Sequence, residues 1–130
     1  MSYKFLDHAT DAIIEVKGKD LKEAFAVTAD AVINLTLDQD KVKEKQTKEF
    51  SAQGKDLHYL LFSWLEEIPF ILITEGFAIK RIEFDIEKKE AYKINAKAFG
   101  ETLDLKKHNF KVEIKAPTFH DMEIRNENTV

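Results

Sequence analysis

Cysteine is absent from this 130-residue chain, and its absence excludes several kinds of site at once. Disulfide bonds, zinc held by thiolates, iron–sulfur clusters and thiol nucleophiles all require cysteine. Glycine occurs 4 times and proline 2 times, so neither a flexible linker nor a low-complexity segment is expected. The length then predicts a single domain spanning residues 1–130.

A long hydrophobic run and an excess of positive charge are missing as well. The most apolar stretch, residues 64–73, is interrupted by two glutamates and Pro69 and is far shorter than the roughly 20 residues that cross a bilayer. The formal net charge of −4 excludes a protein held to nucleic acid by bulk positive charge, although a local basic strip stays open. We therefore expect a cytoplasmic protein without membrane contact. Its 44% hydrophobic and 34% charged residues predict an ordinary buried core.

Two amphipathic helices are predicted, each opened by the same Gly-Lys-Asp sequence. Residues 18–20 precede an apolar stripe, at spacings of three and four, that runs to about Leu35 with Asp20 as the N-cap. Residues 54–56 repeat the motif before a second stripe, which Pro69 kinks or ends. The aromatic residues on these stripes are assigned to the core: Phe25 and Trp64.

Alternating apolar residues predict strands before, between and after the helices. A change of parity near Lys80 and Arg81 predicts a β-bulge inside one of them. The predicted order, β-α-β-α-β-β-β-β, favours an α+β sandwich of antiparallel or mixed sheet with two main helices. The predicted strands cover residues 12–17, 41–53, 77–86, 92–98, 110–116 and 119–124.

Three residues that could bind a cation, Asp7, His8 and Asp11, immediately precede the first predicted strand. Carboxylates at strand ends can converge on a divalent cation, but Asp and Thr also form local turns through their own side chains, and spacing alone favours the turn. His120 and Asp121 could form a proton-handling pair. Because adjacent strand residues point to opposite faces, a half-buried histidine is the simpler interpretation of His120.

A basic segment, Lys106, Lys107 and His108, is a candidate contact for phosphate or for an acidic partner. With a net negative chain, a solvated loop is the favoured interpretation of this segment. No phosphate-binding loop, dinucleotide fingerprint or nucleophile elbow is present. The residues alone therefore predict an α+β domain with a candidate acidic cation site.

Several blocks of the sequence lie in one order along nearly the whole chain: residues 5–11, 20–25, 54–57, 60–67, 96–101, 103–108 and 113–122. Together these blocks resemble the archease family. The resemblance implies a cytosolic protein that is not an enzyme and that activates an RtcB-type RNA ligase in tRNA splicing, promoting its guanylylation and multiple turnover. Contact with tRNA is then only indirect, through the ligase.

The resemblance also implies a metal site at Asp11, with Ca²⁺ as the expected cation. Asp7, His8 and His120 are further candidates for metal or partner contact. The motif reads His-Ala-Thr-Asp here, whereas the family has its two small residues exchanged. Family members continue into one more strand that supplies an acidic ligand, whereas this sequence stops at Val130. We therefore expect a weak or empty site, and an exposed strand edge open to pairing with a second copy.

Three other functions stay open at this point. The family resemblance also allows a chaperone-like modulator of tRNA modification enzymes. An RNA-binding module is disfavoured by the negative net charge. A stand-alone metal-dependent phosphoesterase is weakened because no motif supplies a full ligand set. Its candidate residues would be Asp7, His8, Asp11 and His120.

Overall fold

The computed structural model describes residues 2–6, 13–17 and 20–111. Its elements are β1 (Ser2–Leu6), β2 (Ile13–Lys17), α1 (Leu21–Thr36), β3 (Gln46–Gly54), α2 (Leu57–Pro69), β4 (Phe77–Lys88) and β5 (Tyr92–Thr102). A short 3-10 turn covers Gln39–Lys41. The two helices and a three-stranded antiparallel sheet, in the order β3-β5-β4, give the predicted α+β architecture, and β1 and β2 form a separate antiparallel pair.

Two details at the N-terminal side differ from the sequence prediction. The described chain starts with a strand pair rather than with one strand. β1 pairs antiparallel with β2, so that Ser2 lies opposite Lys17 and Leu6 lies opposite Ile13. β3 begins at Gln46 rather than at residue 41, since Lys41 ends the 3-10 turn and residues 42–45 have no regular secondary structure. Five residues of mixed polarity carry little periodic signal, so such a strand becomes visible only with its partner. The strands predicted over 110–116 and 119–124 fall almost wholly outside the described residues.

Both helices begin where the repeated Gly-Lys-Asp motif predicts. The carboxylate of Asp20 accepts a hydrogen bond from the Glu23 amide at 2.8 Å, and that of Asp56 accepts one from the Tyr59 amide at 2.9 Å. Each cap therefore satisfies one amide that has no partner inside its own helix.

Removing the second cap should weaken the fold measurably. We expect Asp56→Ala to lower the free energy of unfolding by about 1 kcal/mol, because the Tyr59 amide loses its acceptor. Urea unfolding measures the change. Asp56→Asn is the matched control, since its amide oxygen still caps the helix, and an equal loss in both variants would contradict the capping role.

Pro69 is the last residue of α2, as predicted. A π-helical turn, Phe70–Thr74, follows it and ends before Gly76, which adopts a φ of +62°. By length and composition alone, Leu57–Thr74 could cross a membrane. In the fold, however, one face of this segment packs against the sheet, while Tyr59 and Phe70 stay exposed. Its buried hydrophobic residues are Leu60, Trp64, Ile68, Ile71 and Leu72.

The Trp64 side chain lies at the centre of the core and is fully buried, as its place on the apolar stripe predicts. Its ring centroid is 6.3 Å from that of Phe25 on α1, 5.7 Å from Phe50 on β3 and 4.9 Å from Phe84 on β4. Its indole N–H donates to the carbonyl of Phe25 at 3.0 Å. One side chain thus ties both helices to two strands of the sheet.

The predicted bulge is present where β4 and β5 shift register between Ile79 and Arg81. Gly100 pairs with Ile79 beside this bulge, and a Cβ atom there would overlap the carbonyl oxygen of Ala78. Only glycine allows the two backbones to approach so closely. The bulge and the glycine together bring the end of β5, and with it Glu101, against the start of β4.

Candidate partner-contact loop

A polar loop leaves the end of β5 and carries the basic segment found in the sequence. We call residues 101–111 the Glu101 loop. Its backbone closes into a compact turn: His108 N–H donates to the Asp104 carbonyl at 2.9 Å, and Phe110 N–H donates to the Leu105 carbonyl at 2.9 Å. Asn109 has a φ of 53°, a left-handed conformation that Asn tolerates better than most residues. The loop therefore has a defined internal structure.

Asp104 organises the tip of the loop. One of its carboxylate oxygens accepts hydrogen bonds from the amides of Lys106 at 3.1 Å and Lys107 at 3.0 Å. The Lys107 amide is the main cause of a lowered pKa at this carboxyl group. This is a local Asx-type turn, so the charge of Asp104 is directed at the backbone rather than at the neighbouring lysines.

His108 is completely buried, which makes the prediction of a solvated residue here wrong. Its Nδ1 accepts from the Asp104 amide at 3.0 Å, so Nε2 carries the ring proton and donates it to the Glu101 carboxylate at 2.8 Å. The ring is thereby neutral and fixed at both nitrogens. Because both hydrogen bonds are made inside the loop, the histidine acts as a structural link and not as a surface contact.

Glu101 is the carboxylate on which the loop closes. Side chains alternate along β5, and Glu101 has the parity of the exposed residues Asn95 and Lys97, yet it is only 5% exposed. Besides His108, it accepts from the backbone amide of Lys43 at 3.0 Å. The loop therefore covers a carboxylate that the sheet would otherwise leave open to solvent.

Lysines complete the surroundings of this carboxylate. The Lys107 ammonium lies 2.9 Å from one Glu101 oxygen, and that of Lys45 lies 3.7 Å from the same atom. The hydrogen bond from His108, then those from Lys107 and the Lys43 amide, lower the pKa of Glu101 to about 2. Glu101 was not among the residues predicted for the site, because one glutamate near lysines carries no distinctive sequence signal.

A second carboxylate, Asp38, holds the far end of the loop to the end of α1. It accepts from the side chains of Lys111 and Asn109, each at 2.9 Å, and Lys41 lies 3.4 Å away. These contacts lower its pKa to about 2, with the Lys111 hydrogen bond as the largest cause. Backbone bonds from Asp38 to His108 and from Lys111 to Thr36 reinforce the attachment.

The charged side chains of the Glu101 loop make hydrogen bonds and ion pairs with one another and with the backbone. Every buried side-chain N or O atom in the described part of the chain has a hydrogen-bond partner. Within those same residues, no three His, Asp or Glu side chains come together as metal ligands. The Glu101–His108 pair is thus committed to holding the loop, and what the loop offers to a partner is its outer surface.

The predicted site residues separate into two groups. Lys106 and Lys107 lie on the loop surface, with Lys107 paired to Glu101, whereas His108 is buried beneath them. The candidate cation and partner residues lie outside the described part of the chain, so their assignment stays a prediction. They are Asp7, His8, Asp11 and His120.

Fold and loop together define a small α+β domain that presents a fixed, lysine-bearing loop. The model of the Archease protein family matches residues 3–130. The chain belongs to this family, which confirms the resemblance noted in its sequence. The match covers both the described elements and the segments on either side of them.

Individual relatives agree with this membership. The chain is similar to Protein archease of Pyrococcus abyssi, with 41% identity over 123 residues, 94% of this chain and 87% of that protein. It is 40% identical over 127 residues to Protein archease of Pyrobaculum islandicum, covering 96% of this chain and 86% of the relative. The name of these relatives, Protein archease, does not state a catalytic activity.

A solved structure supports the architecture. The solution structure of Methanobacterium thermoautotrophicum Protein 1598 matches with a TM-score of 0.75 and 27% sequence identity, covering 97% of this chain and 91% of the other. The agreement confirms the α+β fold with its two helices and antiparallel sheet.

Proposed function

We propose that this chain is a non-enzymatic activator of an RtcB-type RNA ligase in tRNA splicing, which works in the cytoplasm and promotes ligase guanylylation and multiple turnover. The observation that carries the proposal is the family match over residues 3–130. The described structure is compatible with it, since the polar cluster of the Glu101 loop is consumed in hydrogen bonds and leaves a contact surface rather than a reactive group. Contact with tRNA is then only through the ligase.

The proposal includes a weak divalent-cation site at Asp11, with Ca²⁺ as the cation that the family resemblance implies. Donor chemistry is compatible with it, because hard cations prefer oxygen ligands and Asp7 and Asp11 offer carboxylates within five residues. His8 lies between them in sequence, and His120 is a further candidate contact. When bound, the cation would supply positive charge next to the ligase surface.

The ligase assay tests the proposal directly. Purified chain is mixed with the RNA ligase of the same organism, GTP, Mn²⁺ and RNA with ligatable ends, and both ligase-bound GMP and ligated product are followed over several turnovers. We expect the chain to increase both, because an activator of guanylylation acts before each ligation. Asp11→Ala should remove the increase while its urea unfolding curve stays that of the wild type.

The control for Asp11→Ala is Asp85→Ala, which removes a highly exposed carboxylate on β4. Failure of the wild-type chain to stimulate the ligase would refute the proposal. Metal-dependent release of phosphate from a generic phosphoester without any ligase would favour the phosphoesterase instead. Full stimulation by Asp11→Ala would exclude Asp11 from the function.

A further inference from the structure

The outer surface of the Glu101 loop combines one exposed apolar side chain with lysines. Leu105, at the tip of the turn, is 60% exposed. Lys106 and Lys107 follow it directly. Two exposed lysines of the segment before β3 lie next to the loop, since Lys45 contacts Glu101 through its ammonium group and Lys43 does so through its backbone amide. We call these five residues the Leu105 patch.

The acidic side chains of this region already have hydrogen-bond or ion-pair partners. Glu101 is buried under the loop, the exposed Asp104 accepts from two backbone amides, and Glu44 pairs with Arg81. Among the described residues, the ammonium groups of Lys43 and Lys106 have no carboxylate partner. The patch therefore presents positive charge outward although the whole chain carries a net charge of −4.

The patch is also held in one conformation before any partner arrives. The buried His108–Glu101 pair fixes the turn from below, and the Asp38 contacts with Asn109 and Lys111 fix its far end. A loop that is already ordered loses less conformational entropy when it docks. An exposed leucine on such a support can enter a recess of a partner without reorganising the loop.

We infer that the Leu105 patch docks onto an acidic protein surface that has an apolar recess, and that this surface belongs to the RNA ligase of the proposed function, on which the inference rests. Charge complementarity fits lysines to carboxylates, and Leu105 supplies the apolar contact at the centre. RNA fits less well, because the patch contains no aromatic side chain or arginine on which bases stack. The net negative charge of the chain also disfavours RNA.

Binding of purified full-length chain to the ligase, measured by calorimetry at low and at moderate salt, tests the inference. Leu105→Ala should weaken binding about tenfold, since a buried aliphatic contact is lost. The double variant Lys43→Glu/Lys106→Glu should also weaken it about tenfold and should flatten its salt dependence, because complementary charges become repulsive. Lys89→Glu, at an exposed position after β4, is the matched control and should bind as the wild type does.

The outcomes separate this inference from the proposed function. If the wild type binds and stimulates the ligase while both patch variants bind as tightly as the wild type, the Leu105 patch is not the docking surface and the proposed function stands. If the wild type neither binds nor stimulates, the function fails and the inference fails with it. If the chain binds tRNA directly and the double variant loses tRNA but keeps the ligase, the patch is an RNA surface and the inference is overturned.

Discussion

Replacing Trp64 with alanine should remove about 4 kcal/mol of folding free energy. The loss has three physical parts. The fully buried indole leaves a cavity between Phe25, Phe50 and Phe84, the ring contacts on three sides disappear, and the hydrogen bond to the Phe25 carbonyl is lost. The total free energy of unfolding of a domain is about 5–15 kcal/mol, so this substitution should remove a large fraction of the stability.

Urea unfolding followed by circular dichroism measures this loss, since Trp64 is the only tryptophan and its fluorescence goes with it. Trp64→Phe is the matched variant and keeps the measurement informative if the alanine variant does not fold. It retains a ring among three aromatic neighbours and loses the N–H donor, so it should cost about 1–2 kcal/mol. Equal destabilisation by phenylalanine and alanine would contradict a packing role for the indole.

The helices and the core could be predicted because their signals are local. Asp20 and Asp56 each precede an apolar stripe within a few residues, and the position of Trp64 on its stripe already assigns it to the interior. The bulge near Arg81 is visible as a change of parity within one strand. Each feature depends on residues close in sequence, and each is confirmed by the fold.

The closed loop could not be predicted, because its links are not local. The amide that helps to stabilise the charged Glu101 carboxylate comes from Lys43, 58 residues earlier, and Asp38 accepts from Asn109, which is 71 residues away. A run of lysines beside a histidine has the composition of a solvated segment, and only the folded chain shows that His108 is buried between two partners. One partial signal was present, since an Asp side chain commonly hydrogen-bonds the backbone two residues on, as Asp104 does with the Lys106 amide.

Glu101→Gln should lower the free energy of unfolding by about 2–3 kcal/mol at neutral pH. The glutamine side chain keeps one acceptor oxygen and brings an NH₂ group into a place where Glu101 accepts from His108, Lys107 and the Lys43 amide. The glutamine oxygen can keep the bonds from His108 and the Lys43 amide, which share one Glu101 oxygen, so the NH₂ group faces the Lys107 ammonium and the charge-assisted bond there is lost. Urea unfolding at pH 7 measures the loss, and a variant as stable as the wild type would show that the loop does not depend on this carboxylate.

The free energies of unfolding of the wild type and of Glu101→Gln should depend differently on pH. The pKa of Glu101 is about 2 in the folded protein against an ordinary 4.5, so the folded state favours the charged carboxylate. The stabilisation is therefore fully present above about pH 4.5 and is lost as the pH falls towards 2. Since the glutamine side chain of the variant cannot titrate, the stability difference between wild type and variant should shrink across this window. Asp38, whose pKa is also about 2, is present in both proteins and cancels from the difference. A difference that stays constant from pH 6 to pH 2 would mean that the charge of Glu101 does not stabilise the closed loop.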